Sequence, residues 1–399
     1  MIIFNRNTLI LLFAMLLCGT NTTTTYADPV IPITAPASMQ PTLTPIVPKI
    51  DAVGYLLMDA RSGTILASSN LDKRLAPASL TKIMTSYVIS IALREGRIHL
   101  DDQVVVSKKA WQTGGSKMFI KVGDHVSVRD LIQGIIVDSG NDACISMAEH
   151  IAGSEDTFVS FMNQQAAQLG MTGTHFTDVN GLPDPNHYTT PRDMAILARA
   201  LIHNFPQDYA WYSQKWFTYR GIKQPNRNRL LWRNPNVDGI KTGHTDDAGF
   251  CLVASAKQKN MRLISVVMGA PSDESRAQDS QKLLTYGFHF YESRKLYSSE
   301  TVLAQPSLWF GTRPKIPVGL AKDLFVNIPL GQARNLKTTL TFDQPLRAPT
   351  QKGQTLGTLE VTLHGKLLIT VPLIALQTIP KGGMMRILAD HISLLFQRA

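Results

Sequence analysis

Ser79-Leu80-Thr81-Lys82-Ile83-Met84-Thr85-Ser86-Tyr87-Val88-Ile89-Ser90-Ile91-Ala92-Leu93-Arg94-Glu95-Gly96 is the stretch from which the fold is read. It has helical periodicity, with Leu80, Ile83, Met84 and Ile91 on one side and Gly96 as a stop. Upstream, residues 52–59, 61–63 and 64–68 read as strand, turn and strand. Downstream, helical runs cover 128–137, 141–151, 155–168, 191–202 and 276–290. Between the last two, 239–242, 250–256 and 263–268 read as strands joined by tight Gly/Asp turns. Strands at both ends of one segment with helices between them predict an α+β fold, an antiparallel sheet flanked by helices.

After residue 293 the texture changes. Residues 324–328, 337–342, 355–363 and 366–371 alternate or are rich in β-branched residues, punctuated by Gly and Pro. They predict a small all-β sandwich over 293–381, separate from the 50–292 segment. Residues 384–399 return to helix. Met385, Leu388, Ile392 and Leu395 share one face, and Arg386, Asp390, Ser393 and Gln397 the other. A helix this one-sided, following Gly382-Gly383, is expected to lie on a membrane surface rather than to dock its apolar face on the protein.

The chain of 399 residues is 44% hydrophobic and 18% charged, the composition of a folded protein with room for two or three domains. Its formal net charge of +10 favours anionic partners. The basic residues are scattered, however, and the densest groups, Lys108-Lys109 and Arg227 with Arg229, are only pairs. That pattern is a solvated basic surface and not a nucleic-acid site.

The N-terminus predicts export. Arg6 precedes an apolar run over 9–17, too short for a comfortable membrane span, and Thr25-Tyr26-Ala27 offers small residues for cleavage after Ala27. A lipoprotein signal at Cys18 is disfavoured by bulky Leu17. Residues 28–49 follow as a Pro-rich linker, with prolines at 29, 32, 36, 41, 45 and 48. Removal of 1–27 leaves Cys144 and Cys251, both in apolar stretches and expected to be buried free thiols.

Three short motifs carry the chemistry: Ser79-Leu80-Thr81-Lys82, Ser139-Gly140-Asn141 and Lys241-Thr242-Gly243. They fall at a helix start, in a turn before a helix and in a strand. An N-cap explains Ser79 alone and a solvated charge explains Lys82 alone, but neither explains the trio. Residues i and i+3 share a helix face, so Lys82 can reach the Ser79 hydroxyl, and the helix N-terminus favours developing negative charge. A serine becomes a nucleophile only when a base takes its proton. Lysine serves if burial and a like charge, here Lys241, bring its pKa from ~10.4 toward ~7–8, a shift of roughly 4 kcal/mol. Ser139 is placed to relay the proton to a leaving amine, and Asn141 to bind a substrate amide and orient Lys82.

The three motifs in this order resemble those of penicillin-binding proteins and serine β-lactamases. With their flanks (75–82, 139–143 and 237–245) and the layout of leader, catalytic segment, β domain and terminal helix, the chain resembles the low-molecular-mass D-Ala-D-Ala carboxypeptidases of the penicillin-binding protein 5/6 type, peptidase family S11. The resemblance implies removal of the terminal D-Ala from the peptidoglycan stem pentapeptide through an acyl-enzyme on Ser79, with β-lactams as acylating inhibitors. It implies an oxyanion hole from the backbone N–H groups of Ser79 and His244. Lys241, Thr242 and Gly243 would hold the substrate carboxylate, helped by Arg276, with Arg227 as a second arginine for which a surface ion pair is an equal reading. No metal or other cofactor is expected, because no His or Cys cluster has zinc spacing. The expected location is periplasmic, peripheral on the outer face of the inner membrane.

The nearest competitor, a class A β-lactamase, uses a Glu-x-x-x-Asn motif to activate the deacylating water, and none is found. Cross-link-cutting endopeptidases usually lack such a C-terminal domain. A non-catalytic wall-binding protein is disfavoured by the intact Ser79 and Lys82.

Overall fold

The structure, a computed structural model, describes residues 46–397. The leader expected at 1–27, most of the linker at 28–49, and the side chains of Leu395 and Gln397 lie outside what it describes.

The first and last strands of the 50–292 segment meet in one antiparallel sheet. It comprises β1 (Gly54–Asp59), β2 (Ile65–Ser69), β3 (Val237–Thr245), β4 (Gly249–Gln258) and β5 (Met261–Ala270), in the order β2-β1-β5-β4-β3. Gly54 faces Met268 across β1 and β5, and Asp59 faces Leu263. Successive side chains point to opposite faces. Leu56 and Met58 therefore join one core with Val253, Ile264, Val266 and Met268, while Leu57 joins another with Leu252, Leu263 and Val267. Helices cover both faces, which is why the central strands are apolar almost throughout.

The first core is built with α1 (Thr81–Arg94), α2 (Val128–Gln133), α3 (Asn141–Ala152), α4 (Glu155–Leu169) and α5 (Pro191–Asn204); α6 (Asp273–Phe290) closes the second with Leu283 and Leu284. Caps fix the boundaries. Ser127, Ser154, Thr190 and Ser272 each accept at the side chain from the amide three residues on, and Gly153 and Gly170 end α3 and α4 in the left-handed region.

Two local readings differ from expectation. The 79–95 helix was expected to show one apolar side, but every residue from Thr81 to Ser90 is buried. Small polar residues such as Thr85, Ser86 and Ser90 pass as a solvent face in sequence, yet they fit among neighbouring helices. The 128–137 run is α2 followed by a π turn over Gly134–Asp138, which delivers Ser139 in the left-handed region at φ 60°. Two short antiparallel strand pairs, Gln103–Val105 with His125–Ser127 and Trp216–Tyr219 with Ile222–Pro225, are too short to show a period.

The C-terminal segment has its own core. Strand β6 (Tyr291–Tyr297) precedes β7 (Val318–Gly319), β8 (Leu324–Pro329), β9 (Leu336–Phe342), β10 (Thr355–Leu363) and β11 (Lys366–Ala375). β6 pairs with β8, and the other four form a sheet in the order β7-β11-β10-β9. Val326 and Ile328 from the smaller sheet pack with Leu359, Val361 and Leu373 from the larger, the expected two-sheet arrangement. Helix α7 (Met384–Gln397) follows. Its buried Asp390 accepts from the Phe310 amide at 2.6 Å, so α7 docks through its polar side and leaves Met385, Leu388 and Ile392 exposed.

Candidate active site

The three motifs converge on one cleft. Pro77 leads into a single 3-10 turn, Ala78–Leu80, from which α1 departs. Ser79 thus stands at the open end of a buried helix, and Lys82 lies one turn further in. Lys82 Nζ donates to Ser79 Oγ at 2.9 Å and to the Asn180 carbonyl at 2.8 Å, with the side chain almost fully buried. Lys241, on β3, donates to Ser139 Oγ at 3.0 Å and to its neighbour's carbonyl, Thr242 O, at 3.1 Å. Two buried ammonium groups with neutral hydrogen-bond partners are costly to keep charged. Burial pulls the Lys82 pKa down to about 8, helped by the Arg227 charge and opposed by Cys144, Asp178 and Asp142. Lys241 is also pushed well below its ordinary value, by burial first and then by the charges of Lys82, Arg227 and Arg276.

Backbone fit makes the cleft. A Cβ on Gly243 would come within 2.9 Å of Pro77 O and 3.2 Å of the Leu80 amide, so only glycine lets β3 lie against the serine turn. On the other side, Gly181 at φ +84° would place a Cβ 1.7 Å from Ala78 O. Asn141 is held by the 114–116 loop: its Nδ2 donates to Gly114 O at 2.7 Å and its amide to Ser116 O at 2.7 Å. That loop is anchored through the Asp142 carboxylate, which accepts from Met118 and Phe119 amides at 3.0 Å each.

The expected site residues fall as follows. Ser79, Lys82, Ser139, Lys241, Thr242 and Gly243 come together. Asn141 stands two residues beyond Ser139 with its side chain turned to Gly114 O, and the acceptor that shares Lys82 with Ser79 is the Asn180 carbonyl. Arg227 reaches the rim, donating to Ser116 Oγ at 2.6 Å, a hydroxyl and not the surface carboxylate weighed for it. Arg276 is buried behind β3, where Nη1 donates to Gly243 O at 2.9 Å and to Cys251 O at 3.3 Å, and Nη2 pairs with Asp273. It braces the Lys-Thr-Gly strand and adds positive potential beneath it. His244 is exposed, its ring over Phe250 with centroids 3.9 Å apart. Cys144 and Cys251 are buried free thiols, burial pushing them up to about 12 and about 11.

Sequence reasoning missed the 178–188 loop. It supplies Asn180 and Gly181, and with Arg74–Ala78, Thr245 and Asp247 it lines a cavity of about 690 Å³ beside the serine turn. A backbone carbonyl carries no residue-type signal, and only the adjacent glycine hinted at close approach.

An antiparallel sheet bearing a Lys-Thr-Gly strand, a helix-start Ser-x-x-Lys and a Ser-x-Asn turn around one cleft defines the penicillin-binding class of serine acyl-transfer fold. The chain belongs to the D-alanyl-D-alanine carboxypeptidase family S11, whose model matches residues 41–272; the model of the penicillin-binding protein 5 C-terminal domain matches 291–381. The chain is similar to D-alanyl-D-alanine carboxypeptidase DacC of Escherichia coli K12, 46% identical over 91% of this chain and 93% of that protein. It is also similar to the crystal structure of penicillin-binding protein 5 from Haemophilus influenzae (44% identity, TM-score 0.82, 84% of this chain and 100% of that one). A third likeness is to penicillin-binding protein D2 of Listeria monocytogenes in its ampicillin-bound form (29% identity, TM-score 0.57, 61% of this chain and 100% of that one).

Proposed function

We propose that this D-alanyl-D-alanine carboxypeptidase works through Ser79, and that its substrate is the D-Ala-D-Ala end of the peptidoglycan stem pentapeptide. The observation that carries the reading is the 2.9 Å bond between Ser79 Oγ and a buried Lys82 whose pKa falls to about 8. Neutral Lys82 takes the hydroxyl proton as Ser79 Oγ bonds to the carbonyl carbon of the penultimate D-Ala. The oxyanion forms toward the backbone N–H groups of Ser79 and His244. Ser139, held by Lys241, relays the proton from Lys82 to the leaving amine as the C–N bond breaks, which returns Lys82 to neutral. Lys82 then takes a proton from the water that bonds to the acyl carbon and hands it to Ser79 Oγ as the ester C–O bond breaks. Asn141 binds the stem-peptide amide, and the cavity of about 690 Å³ takes the upstream part of the stem.

Lys241, Thr242 and Gly243 hold the terminal carboxylate, supported by the charges of Arg276 and rim-side Arg227. The two lysines divide the work by mutual repulsion. An arriving carboxylate favours charged Lys241, and that charge keeps Lys82 neutral. β-Lactams acylate the same serine, a reading supported by the ampicillin-bound relative. Division near residue 292 is part of the proposal, supported by the separate C-terminal core and by the family model that begins at 291. So are export through a cleaved leader, a periplasmic site and peripheral anchoring through α7. Among the described residues no helix is long and apolar enough to cross a membrane.

The test is D-alanine release from a D-Ala-D-Ala-terminated stem peptide by residues 28–381. Release by the parent and its loss by at least about 10³-fold in Ser79→Ala is the expected result. No release from a folded parent would reject the carboxypeptidase reading.

A further inference from the structure

Beneath the 178–188 loop lies a chain of side-chain bonds that the proposed mechanism does not use. His187 is buried, and its Nε2 lies 2.9 Å from Thr81 Oγ1 in the first turn of α1. Its Nδ1 accepts from the Thr177 amide at 3.3 Å and lies 3.1 Å from Thr177 Oγ1 and 3.4 Å from Asp178 Oδ2. The Phe176 ring closes the pocket edge-on at 5.6 Å. Asp178 in turn holds the loop backbone: Oδ1 accepts from the Asn180 and Gly181 amides at 2.6 Å each, and Oδ2 from the Leu182 amide at 3.1 Å. Burial alone would raise the Asp178 pKa, but His187 and these amides hold it below the ordinary carboxylate range.

The loop so held turns two carbonyls toward α1. Val179 O accepts from Thr85 Oγ1 at 2.7 Å, and Asn180 O accepts from Lys82 Nζ at 2.8 Å. A neutral amine has two N–H bonds and one lone pair. With one N–H fixed on Asn180 O, the lone pair is steered toward Ser79 Oγ.

We propose that His187 and Asp178 are positioning residues for acylation, a clamp between the first turn of α1 and the 178–182 loop that keeps the Asn180 carbonyl on Lys82 and water away from it. The proposal rests on Lys82 as the base for Ser79. Neither residue touches the substrate or the reacting atoms. A loosened loop would cost Lys82 both its orienting acceptor and its shelter, and the base would need a higher pH to lose its proton. The charged and titratable groups facing Lys82 are Cys144 and Asp142 from α3, Asp178 from the loop, Lys241 from β3, and Arg227.

The experiment measures the second-order rate of Ser79 acylation by a fluorescent penicillin across pH for the full chain, His187→Ala, His187→Gln and Thr81→Val, alongside thermal melts. His187→Ala should be about 10-fold slower at pH 7.5, with the midpoint of its pH–rate rise about one unit higher. Thr81→Val, which removes only the hydroxyl, should shift the midpoint in the same direction by less and tests the clamp even if His187→Ala does not fold. His187→Gln, an amide with both a donor and an acceptor, should restore most of the parent midpoint. A folded His187→Ala or Thr81→Val with the parent midpoint would overturn the clamp. Failure of the parent itself to acylate would instead remove the Lys82–Ser79 reading beneath it.

Discussion

A lysine sealed from water and bonded to a hydroxyl and a backbone carbonyl is poised to lose its proton, and in the proposed mechanism that tension at Lys82 drives the chemistry. With the neutral amine as the proposed base, acylation should be slow below the Lys82 pKa and rise through about pH 8 to a plateau, measured as initial rates with a fluorescent penicillin. The same burial has a stability cost. A pKa lowered from 10.5 to about 8 means that the unfolded chain binds more protons over that window, a penalty of about 3 kcal/mol at neutral pH. Lys82→Met should abolish acylation yet raise stability by about 1–3 kcal/mol at pH 7, the lost hydrogen bonds offsetting part of the gain. The sign follows from linkage: parent stability climbs between about pH 8 and about 10.5, so the Met variant's lead in urea titrations should shrink over that range. A lead that grows with pH would mean that Lys82 stays charged in the folded protein.

The elements meet around the serine through backbone, and here the sequence was least legible. Ser79 and Lys82 are three residues apart on one helix, a separation that geometry converts directly into contact. Lys241 and Ser139 lie 102 residues apart, but each belongs to a motif of its own, so the resemblance joined them. Asn180 is 98 residues from Lys82 and acts through a carbonyl that any residue would supply; His187 is 106 from Thr81 and stands in no motif. The five-strand sheet and its long helices were readable because caps, glycines and apolar runs are local signals. The three- and four-residue strand pairs were not. The tightest of these backbone meetings is Gly181 on Ala78, and Gly181→Ala tests it. A Cβ 1.7 Å from a carbonyl oxygen, at φ +84°, forces either the loop or the serine turn to move. Acylation should fall at least about 100-fold and the melting temperature by several degrees, whereas Gly153→Ala, also at positive φ but with open space around its Cβ, should lose only stability. Equal acylation by both variants would show that the loop need not press on Ala78.

Across the whole molecule, the terminal helix is attached in a way that argues for what its free face meets. Buried Asp390 bonds to the Phe310 amide and pairs within the helix with Arg386 at 3.3 Å, so α7 is held to the β segment from its polar side. The apolar side is left open, with Met384 86%, Met385 83%, Leu388 58% and Ile392 49% exposed. A helix that merely finished the fold would bury those side chains at about 25 cal/mol per Å² gained. Leaving them in water is explained if a lipid surface covers them, and the net charge of +10 adds attraction to anionic head groups. The two contributions separate by salt, because exposed charges are screened within about 8 Å at physiological ionic strength while apolar insertion is not. Residues 28–399 should co-sediment with vesicles containing anionic lipid and remain partly bound in about 0.5 M salt. The chain ending at Lys381 should lose most of that binding, and Leu388→Glu with Ile392→Glu should lose the salt-resistant part while keeping carboxypeptidase activity. Equal binding by the full and shortened chains would remove the membrane role from α7 and leave its apolar face to another partner.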